Sequence, residues 1–199
     1  MKPEKLTNML AIISDKFSQR QIPFCLIGAL ALGLYGHPRY TSDIDILVKE
    51  SSWPDISEIM EKLGYTCFQK TSAFAQFDSE LGVFGKVDFM FVKTEEGKGF
   101  IRNSTKVNEE YFDGTPVIQP TDYIILKLMA IANNPERSLK DEADISDFFR
   151  MYEKNLIASD FDKLDKPKIL IFGEKFGMQS VINKYINGLG GDEKKQHQL

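Results

Sequence analysis

The spacing of apolar residues divides the chain into a first part with mixed strand and helix patterns and a second part that is helical. Residues 3–19 carry apolar side chains three and four positions apart, which is typical of an amphipathic helix. Their apolar stripe consists of Leu6, Met9, Leu10, Ile13 and Phe17. A short apolar run over 24–27 then ends at Gly28, and an Ala- and Leu-rich segment follows over 29–35. This order predicts a strand, a glycine turn and a short helix.

Strand patterns recur up to residue 119. Five segments alternate polar and apolar residues or are rich in β-branched and aromatic residues: Asp43–Val48, Tyr65–Gln69, Phe74–Asp78, Lys86–Val92 and Thr115–Gln119. Between the first two, Ser52 is predicted to cap a helix that has Asp55 as its capping partner and ends at Gly64. Residues 93–108 are polar and show no clear pattern. A small mixed sheet is therefore expected in this part of the chain.

Helical spacing dominates from Pro120 onward. Pro120 suits the first position of an apolar helix, and Ser138 is predicted to cap a second one. One or two more helices are expected between residues 161 and 186. The predicted fold class is α/β (α+β): a small mixed sheet with flanking helices, followed by a helical C-terminal lobe. We expect an α/β lobe over 1–119, a helical lobe packed on it over 120–187, and a flexible tail over 188–199.

Composition allows a folded core and excludes several classes of protein. The 199 residues are 42% hydrophobic and 27% charged, which is ordinary for a globular protein. The net charge of -4 gives no broad basic surface, although an enzyme that touches only one end of an RNA needs just a local basic patch. Cys25 and Cys67 lack the spacing of a zinc site and are predicted to be reduced core residues. No apolar run approaches the ~20 residues that span a membrane, so the expected location is cytoplasmic.

Common catalytic motifs are missing. Residues 28–33 have the glycine spacing of a phosphate-binding P-loop, but Leu34 stands where the lysine of that motif is required. No G-x-G-x-x-G or G-x-S-x-G motif occurs, and His37 and His197 are the only histidines. Neither P-loop nor dinucleotide chemistry is indicated.

Aspartates in two predicted strands are the remaining candidates for chemistry. Asp43 and Asp45 are two positions apart, so both carboxylates project from one face of a strand, and a divalent cation is the usual compensation for their repulsion. Asp88 is a third acid within an apolar strand, where an unpaired carboxylate is costly. If the two strands are neighbours, the three carboxylates converge and can hold two Mg²⁺ ions about 3.5 to 4 Å apart. The alternative is that the first pair is a solvated strand end or a turn cap.

Three sequence phrases resemble one family. They are Phe24-Cys-Leu-Ile-Gly28-Ala29, Gly36-His-Pro-Arg39-Tyr-Thr41-Ser-Asp43-Ile-Asp45 and Val87-Asp88-Phe89. Together they resemble the nucleotidyltransferase fold shared by DNA polymerase β, kanamycin nucleotidyltransferase and the minimal nucleotidyltransferases. Within that superfamily the chain is most similar to the AbiEii-like toxins. Residues 120–130 and 137–145 are similar to a helix pair of that group.

The resemblance implies a role for each matching residue. Asp43, Asp45 and Asp88 would be catalytic and would bind Mg²⁺, with Asp88 also acting as the base on the acceptor hydroxyl. The backbone amides at Gly28 and Ala29 would approach the triphosphate, although the family has Gly-Gly or Gly-Ser here and Ala29 lacks a hydroxyl. The remaining nucleotide-binding residues would be Arg39, Thr41, Ser42, Lys127 and Lys140. For Lys127 the alternative is a snorkelling surface lysine, and Lys140 is also spaced for a helical ion pair with Asp144.

The implied activity is transfer of a nucleoside monophosphate from an NTP such as ATP to an acceptor hydroxyl, with release of pyrophosphate. The acceptor is left open between an RNA such as the 3′ end of a tRNA, a tyrosine of a partner protein, and a small alcohol such as an antibiotic. A place in a toxin–antitoxin pair is a further implication. The competing hypotheses are a non-catalytic nucleotide- or partner-binding module that keeps the fold, and carboxylates that are purely structural.

Overall fold

The computed structural model describes residues 3–79, 84–107, 112, 114–159 and 161–186. The chain divides into two compact units. The first comprises residues up to Leu34 together with Pro38–Gln119, and the second comprises Tyr35–His37 together with the residues from Pro120 onward. The expected tail over 188–199 lies outside the described residues.

The first unit contains four α-helices and seven strands in its described part. In chain order they are α1 (Pro3–Gln19), β1 (Phe24–Leu26), α2 (Gly28–Leu34), β2 (Asp43–Lys49), α3 (Trp53–Lys62), β3 (Tyr65–Lys70), β4 (Phe74–Ser79), β5 (Lys86–Val92), α4 (Glu95–Arg102), β6 (Thr105–Lys106) and β7 (Pro116–Val117). The strands form one mixed sheet in the order β3-β4-β5-β2-β1-β7-β6. The pairs β2/β5 and β1/β7 are parallel, and the other neighbours are antiparallel. The α/β class with a small mixed sheet is confirmed.

Helices α1 and α3 cover one face of this sheet. The predicted stripe of α1 is fully buried, and the ring of Phe17 lies 5.3 Å from that of Phe24 on β1 and 6.0 Å from that of Phe89 on β5. Trp53 at the start of α3 contacts the rings of Phe77 and Phe91. Because side chains alternate along a strand, the residues next to these aromatics face the opposite side of the sheet. Asp88, beside Phe89, is one of them.

Two predicted helix caps and one predicted core residue are wrong. Ser52 makes no capping bond, because a 3₁₀ turn over Glu50–Ser52 leads directly into α3 and leaves Ser52 in helical geometry. Its expected partner Asp55 instead pairs with Arg20 at 3.2 Å. Ser138 is the first residue of a helix that follows another 3₁₀ turn, and Asn134 provides the cap of that turn. Cys25 is buried as expected, but Cys67 is only half-buried.

The second unit is built from helices in its described part: α5 (Pro120–Asn133), α6 (Ser138–Glu153), α7 (Lys166–Lys175) and α8 (Gln179–Ile186). Helix α5 begins at Pro120 as predicted and is buried on nearly all sides over its first seven residues. The ring of Tyr35 packs edge-on against Tyr123, Phe148 and Phe161, which forms the aromatic centre of this unit. None of the helices in the described ranges has the length and apolar character that a membrane span requires.

Candidate active site

Strands β2 and β5 bring three aspartates to one face of the sheet. The two strands are parallel neighbours, with Asp45 in register with Asp88 and Asp43 in register with Lys86. Because in-register neighbours project to the same face, and residues two apart on a strand share that face, the three carboxylates lie together on it. Ile44 and Ile46, which directly follow Asp43 and Asp45 in sequence, are buried on the covered face. The strands that carry Asp43, Asp45 and Asp88 are therefore neighbours, as the sequence-based prediction required.

Asp88 has the most unusual environment of the three. Its carboxylate is half-buried, and the Nε2 amide of Gln76 on β4 donates a hydrogen bond of 2.7 Å to Oδ2. The other oxygen, Oδ1, is buried and has no hydrogen-bond partner. Burial raises the pKa of Asp88, and the charge of Asp43 raises it further, whereas the Gln76 bond and Lys86 act in the opposite direction. A half-satisfied carboxylate within a sheet marks a site that is not optimised for stability alone.

Gly28 accommodates the carboxylate of Asp45. The glycine begins α2 with a φ of +68°, a conformation that L side chains rarely adopt. A Cβ at this position would lie 2.0 Å from Oδ2 of Asp45, so the carboxylate occupies the space that any side chain would need. The backbone N–H of Ile27 also donates to the carbonyl oxygen of Asp45 at 2.9 Å. The family resemblance implied that this glycine lets the backbone approach phosphate, and the position of the Asp45 carboxylate is a second reason for a glycine here.

The loop before β2 orients Asp43. The hydroxyl of Ser42 donates to Oδ1 of Asp43 at 2.9 Å, and the hydroxyl oxygen of Thr41 accepts from the backbone N–H of Asp43 at 3.2 Å. Arg39 is half-buried in the same loop, and Ala29 is buried in α2. Thr41 thus shapes the loop, as the family resemblance implied. Contacts of these residues with phosphate stay a prediction.

Lys127 has buried carboxylate partners within the second unit. Its Nζ donates to Oδ1 of Asp141 at 2.7 Å and to Oδ2 of Asp144 at 2.6 Å, and its side chain is only 12% exposed. The alternative of a snorkelling surface lysine is therefore wrong. Asp144, proposed from spacing to pair with Lys140, pairs with Lys127 of the preceding helix, while Lys140 is exposed. The nucleotide-binding roles of Lys127 and Lys140 stay predictions.

Two polar residues of this sheet face, Gln76 and Lys86, were not predicted to belong to the site. Gln76 and Lys86 lie in register with Asp88 and Asp43, respectively. The polar position of Gln76 within an alternating strand was visible in the sequence, but its partner depends on the strand register.

The donor set suits a hard divalent cation. Asp43, Asp45 and Asp88 offer carboxylate oxygens, the ligands that Mg²⁺ prefers, and Oδ1 of Asp88 is buried without a partner. Lys86, in register with Asp43, and Lys49, four residues beyond Asp45 on β2, supply positive charge on the same face. Within the described ranges, no group of three His, Cys, Asp or Glu side chains is already arranged to hold a metal ion. The chemistry of the residues fits such an ion.

Comparison with known proteins identifies the fold. The sequence matches no protein-family model and no curated protein. The antibiotic-resistance factor ANT(2'')-Ia is similar with a TM-score of 0.58 at 14% identity, over 92% of this chain and 98% of its own. Its complex with adenylyl-2''-tobramycin gives a TM-score of 0.55 at 13% identity, over 87% and 99%.

Two other solved structures are similar over most of their own length. The lincosamide antibiotic adenylyltransferase LnuA, solved with lincomycin bound, gives a TM-score of 0.52 at 15% identity over 74% of this chain and 96% of its own. An antigenic nucleotidyltransferase-like protein from Paracoccidioides brasiliensis gives 0.52 at 11% identity, over 92% and 94%. These likenesses show that the chain has the nucleotidyltransferase fold that the sequence resemblance implied, while membership of the superfamily stays a prediction. Membership of the AbiEii-like group stays a prediction.

Proposed function

We propose that this chain transfers a nucleoside monophosphate from an NTP to an acceptor hydroxyl and releases pyrophosphate. The observation that carries the proposal is the placement of Asp43, Asp45 and Asp88 on the same face of neighbouring strands in a nucleotidyltransferase fold, with one carboxylate oxygen of Asp88 buried and unpartnered. In the reaction the acceptor oxygen forms a bond to the α-phosphorus, and the bond from that phosphorus to the oxygen leading to the β-phosphate breaks. The acceptor proton must be removed as the new bond forms.

Asp88 is the residue best placed to take that proton. Its Oδ2 is engaged by Gln76, whereas Oδ1 has no partner and can accept from an acceptor hydroxyl. We assign Asp88 Oδ1 as the general base.

Asp43 and Asp45, together with Asp88, would hold Mg²⁺. When bound, the cation neutralises charge on the triphosphate and on the leaving pyrophosphate. Ser42 fixes the carboxylate of Asp43, and Gly28 leaves room for that of Asp45, so the chain itself orients both ligands. We keep the backbone amides of Gly28 and Ala29 and the side chains of Arg39 and Thr41 as the expected phosphate contacts.

The acceptor that we favour is a small molecule with a free hydroxyl. Two of the similar structures are an antibiotic-resistance factor seen with adenylyl-2''-tobramycin and an adenylyltransferase seen with lincomycin. The net charge of -4 also favours a small cationic acceptor over an RNA. RNA and protein acceptors are outcomes that the same assay detects, and a toxin–antitoxin role stays a prediction.

The test is incubation of the purified protein with each α-labelled NTP and MgCl₂. Acceptors are supplied as a panel of aminoglycosides and lincosamides, total cellular RNA, or a cell lysate. We expect label on one class of acceptor and release of pyrophosphate, both lost in Asp43→Asn and Asp45→Asn. Asp78→Asn is the matched control. Asp78 lies on β4 in register with Lys86 of β5, and β5 separates it from Asp43 on β2.

Two results would contradict the proposal. Undiminished nucleotide transfer by Asp45→Asn would show that the carboxylate of Asp45 takes no part in the reaction. Magnesium-dependent NTP binding by calorimetry without pyrophosphate release on any acceptor would instead favour a non-catalytic nucleotide-binding module.

A further inference from the structure

We propose that Gln76 is a positioning residue that sets the orientation of the Asp88 carboxylate. The effect on kcat that we derive from it rests on the proposed function, whereas the orientation of the carboxylate does not. Gln76 lies on β4, the antiparallel neighbour of β5, and is in direct register with Asp88. Its amide Nε2 donates to Oδ2 of Asp88 at 2.7 Å, a short bond to an ionisable acceptor.

The bond makes the two oxygens of Asp88 inequivalent. A carboxylate that is free to rotate about χ2 presents either oxygen. The bond to Oδ2 restrains this rotation and leaves Oδ1 as the oxygen that has no hydrogen-bond partner. The amide approaches from β4, on the opposite side of β5 from the strand that carries Asp45. Gln76 therefore selects which oxygen can act as the base.

Other neighbours do not provide this restraint. Within the described part of the chain, Gln76 is the only side chain that hydrogen-bonds to Asp88. Lys86, two residues away on β5, has its Nζ over the ring of Phe68 at 5.3 Å. Asp43 and Asp45 are carboxylates, which when ionised accept hydrogen bonds and cannot donate them.

The proposed role predicts a specific kinetic effect. The amide exchanges no proton in the reaction: the acceptor proton moves to Oδ1 of Asp88, and Gln76 keeps its bond to Oδ2. Removing the amide should lower kcat about 10- to 100-fold, the usual range for residues that orient a catalytic group, and should leave the KM for the NTP within about twofold. A residue that only packs would not separate kcat from KM in this way.

The experiment compares Gln76→Met with Gln69→Met. Methionine keeps the length of the side chain but donates no hydrogen bond. Gln69 is the matched control because it lies on β3 in register with Gln76 and is exposed. We expect the kcat loss only in Gln76→Met, and crystal structures of the two variants should show a reoriented Asp88 carboxylate only there. Gln76→Asn, which keeps the amide but shortens its reach, serves as the second variant and should show the same two effects if Gln76→Met does not fold.

The two readouts separate this inference from the proposed function. An unchanged Asp88 orientation in Gln76→Met, or in Gln76→Asn if the first variant does not fold, overturns the positioning role whatever the activity. Equal kcat values in the Gln76 and Gln69 variants also overturn it. If the wild-type protein transfers no nucleotide, the proposed function fails, and the crystal structures alone still decide whether Gln76 orients Asp88.

Discussion

Replacement of Gly28 by alanine tests the packing of Asp45 against the start of α2. Two costs are expected. The first is conformational, because the φ of +68° places Gly28 in the left-handed region, which costs about 1–2 kcal/mol for a residue with a Cβ. The second is steric and arises from Asp45.

The steric cost follows from three distances. The new Cβ would lie 2.0 Å from Oδ2, 2.6 Å from Cγ and 2.8 Å from Cβ of Asp45. Rotation of the carboxyl group cannot relieve the contact with Cβ, because that atom is fixed to β2, so the backbone of one segment must move. Overpacking of this kind costs about 1–3 kcal/mol. The expected total loss for Gly28→Ala is about 2–5 kcal/mol.

Gly64→Ala isolates the conformational part. Gly64 has a φ of +78°, and nothing lies within 4 Å of the position of its Cβ. Its replacement should therefore cost only the ~1–2 kcal/mol of the left-handed backbone. Urea unfolding followed by circular dichroism gives the free energy of unfolding of each variant by linear extrapolation.

The difference between the two variants is the quantity of interest. We expect Gly28→Ala to be less stable than Gly64→Ala by about 1–3 kcal/mol. Asp45→Ala in the Gly28→Ala background should recover part of that difference, because it removes Oδ2 and Cγ. Equal losses for the two glycine variants, at unchanged m-values, would refute the reasoning.

Three further predictions concern ionisable groups. Because burial raises the pKa of Asp88 above 3.8, its ionised form destabilises the folded state, and Asp88→Asn should be more stable than wild type at neutral pH. The difference in free energy of unfolding, measured with urea, should disappear as the pH falls through the raised pKa of Asp88. An Asp88→Asn variant that is less stable than wild type at neutral pH would contradict this prediction. Lys127→Met removes the cation that Asp141 and Asp144 share in a buried position, so the free energy of unfolding should fall by about 3–5 kcal/mol. Urea unfolding measures this loss, and a value below about 1 kcal/mol would refute the structural role of Lys127. Burial raises the pKa of Tyr65 to about 12, so its contribution to stability should be complete below pH ~10 and lost as the pH rises toward 12. A tyrosinate absorbance titration of Tyr65→Phe should lack the component that titrates near pH 12 in the wild type, and an unchanged titration there would contradict the assignment.

Much of the fold could be predicted because periodicity in these segments was unambiguous. The stripe of α1 has a single helical period, and the structure ends that helix at Gln19 as predicted. Strands β2 and β5 begin at the predicted residues, because charged and apolar positions alternate along them. Pro120 marked the start of α5, since proline is tolerated in the first helical turn.

Helix α4 could not be predicted from apolar spacing. Gly97 and Gly99 interrupt it, and its clearest sequence signal is Thr94, whose hydroxyl accepts from the N–H of Gly97. Ser52 and Ser138 were misassigned for a related reason, since a 3₁₀ turn before a helix removes the need for a side-chain cap.

The candidate site was predictable only where it depends on local sequence. Asp43 and Asp45 share a face because of strand geometry, and their meeting with Asp88 required only that two strands be neighbours. The bond from Gln76 to Asp88 depends on the register of β4 against β5. The partners of Lys127 likewise lie 14 and 17 residues away on another helix, where spacing alone cannot place them.

The position of β1 in the sheet has a consequence for biosynthesis. This short strand is flanked by β2 and by β7, and its Leu26 pairs with Val117, about 90 residues later in the chain. When only the first hundred residues have left the ribosome, β1 can pair with β2, but its other edge has no partner strand. The second edge of β1 is paired only after the segment around Val117 emerges. Because closing so long a loop is slow, the nascent chain carries this apolar strand with one unpaired edge until that segment has been made.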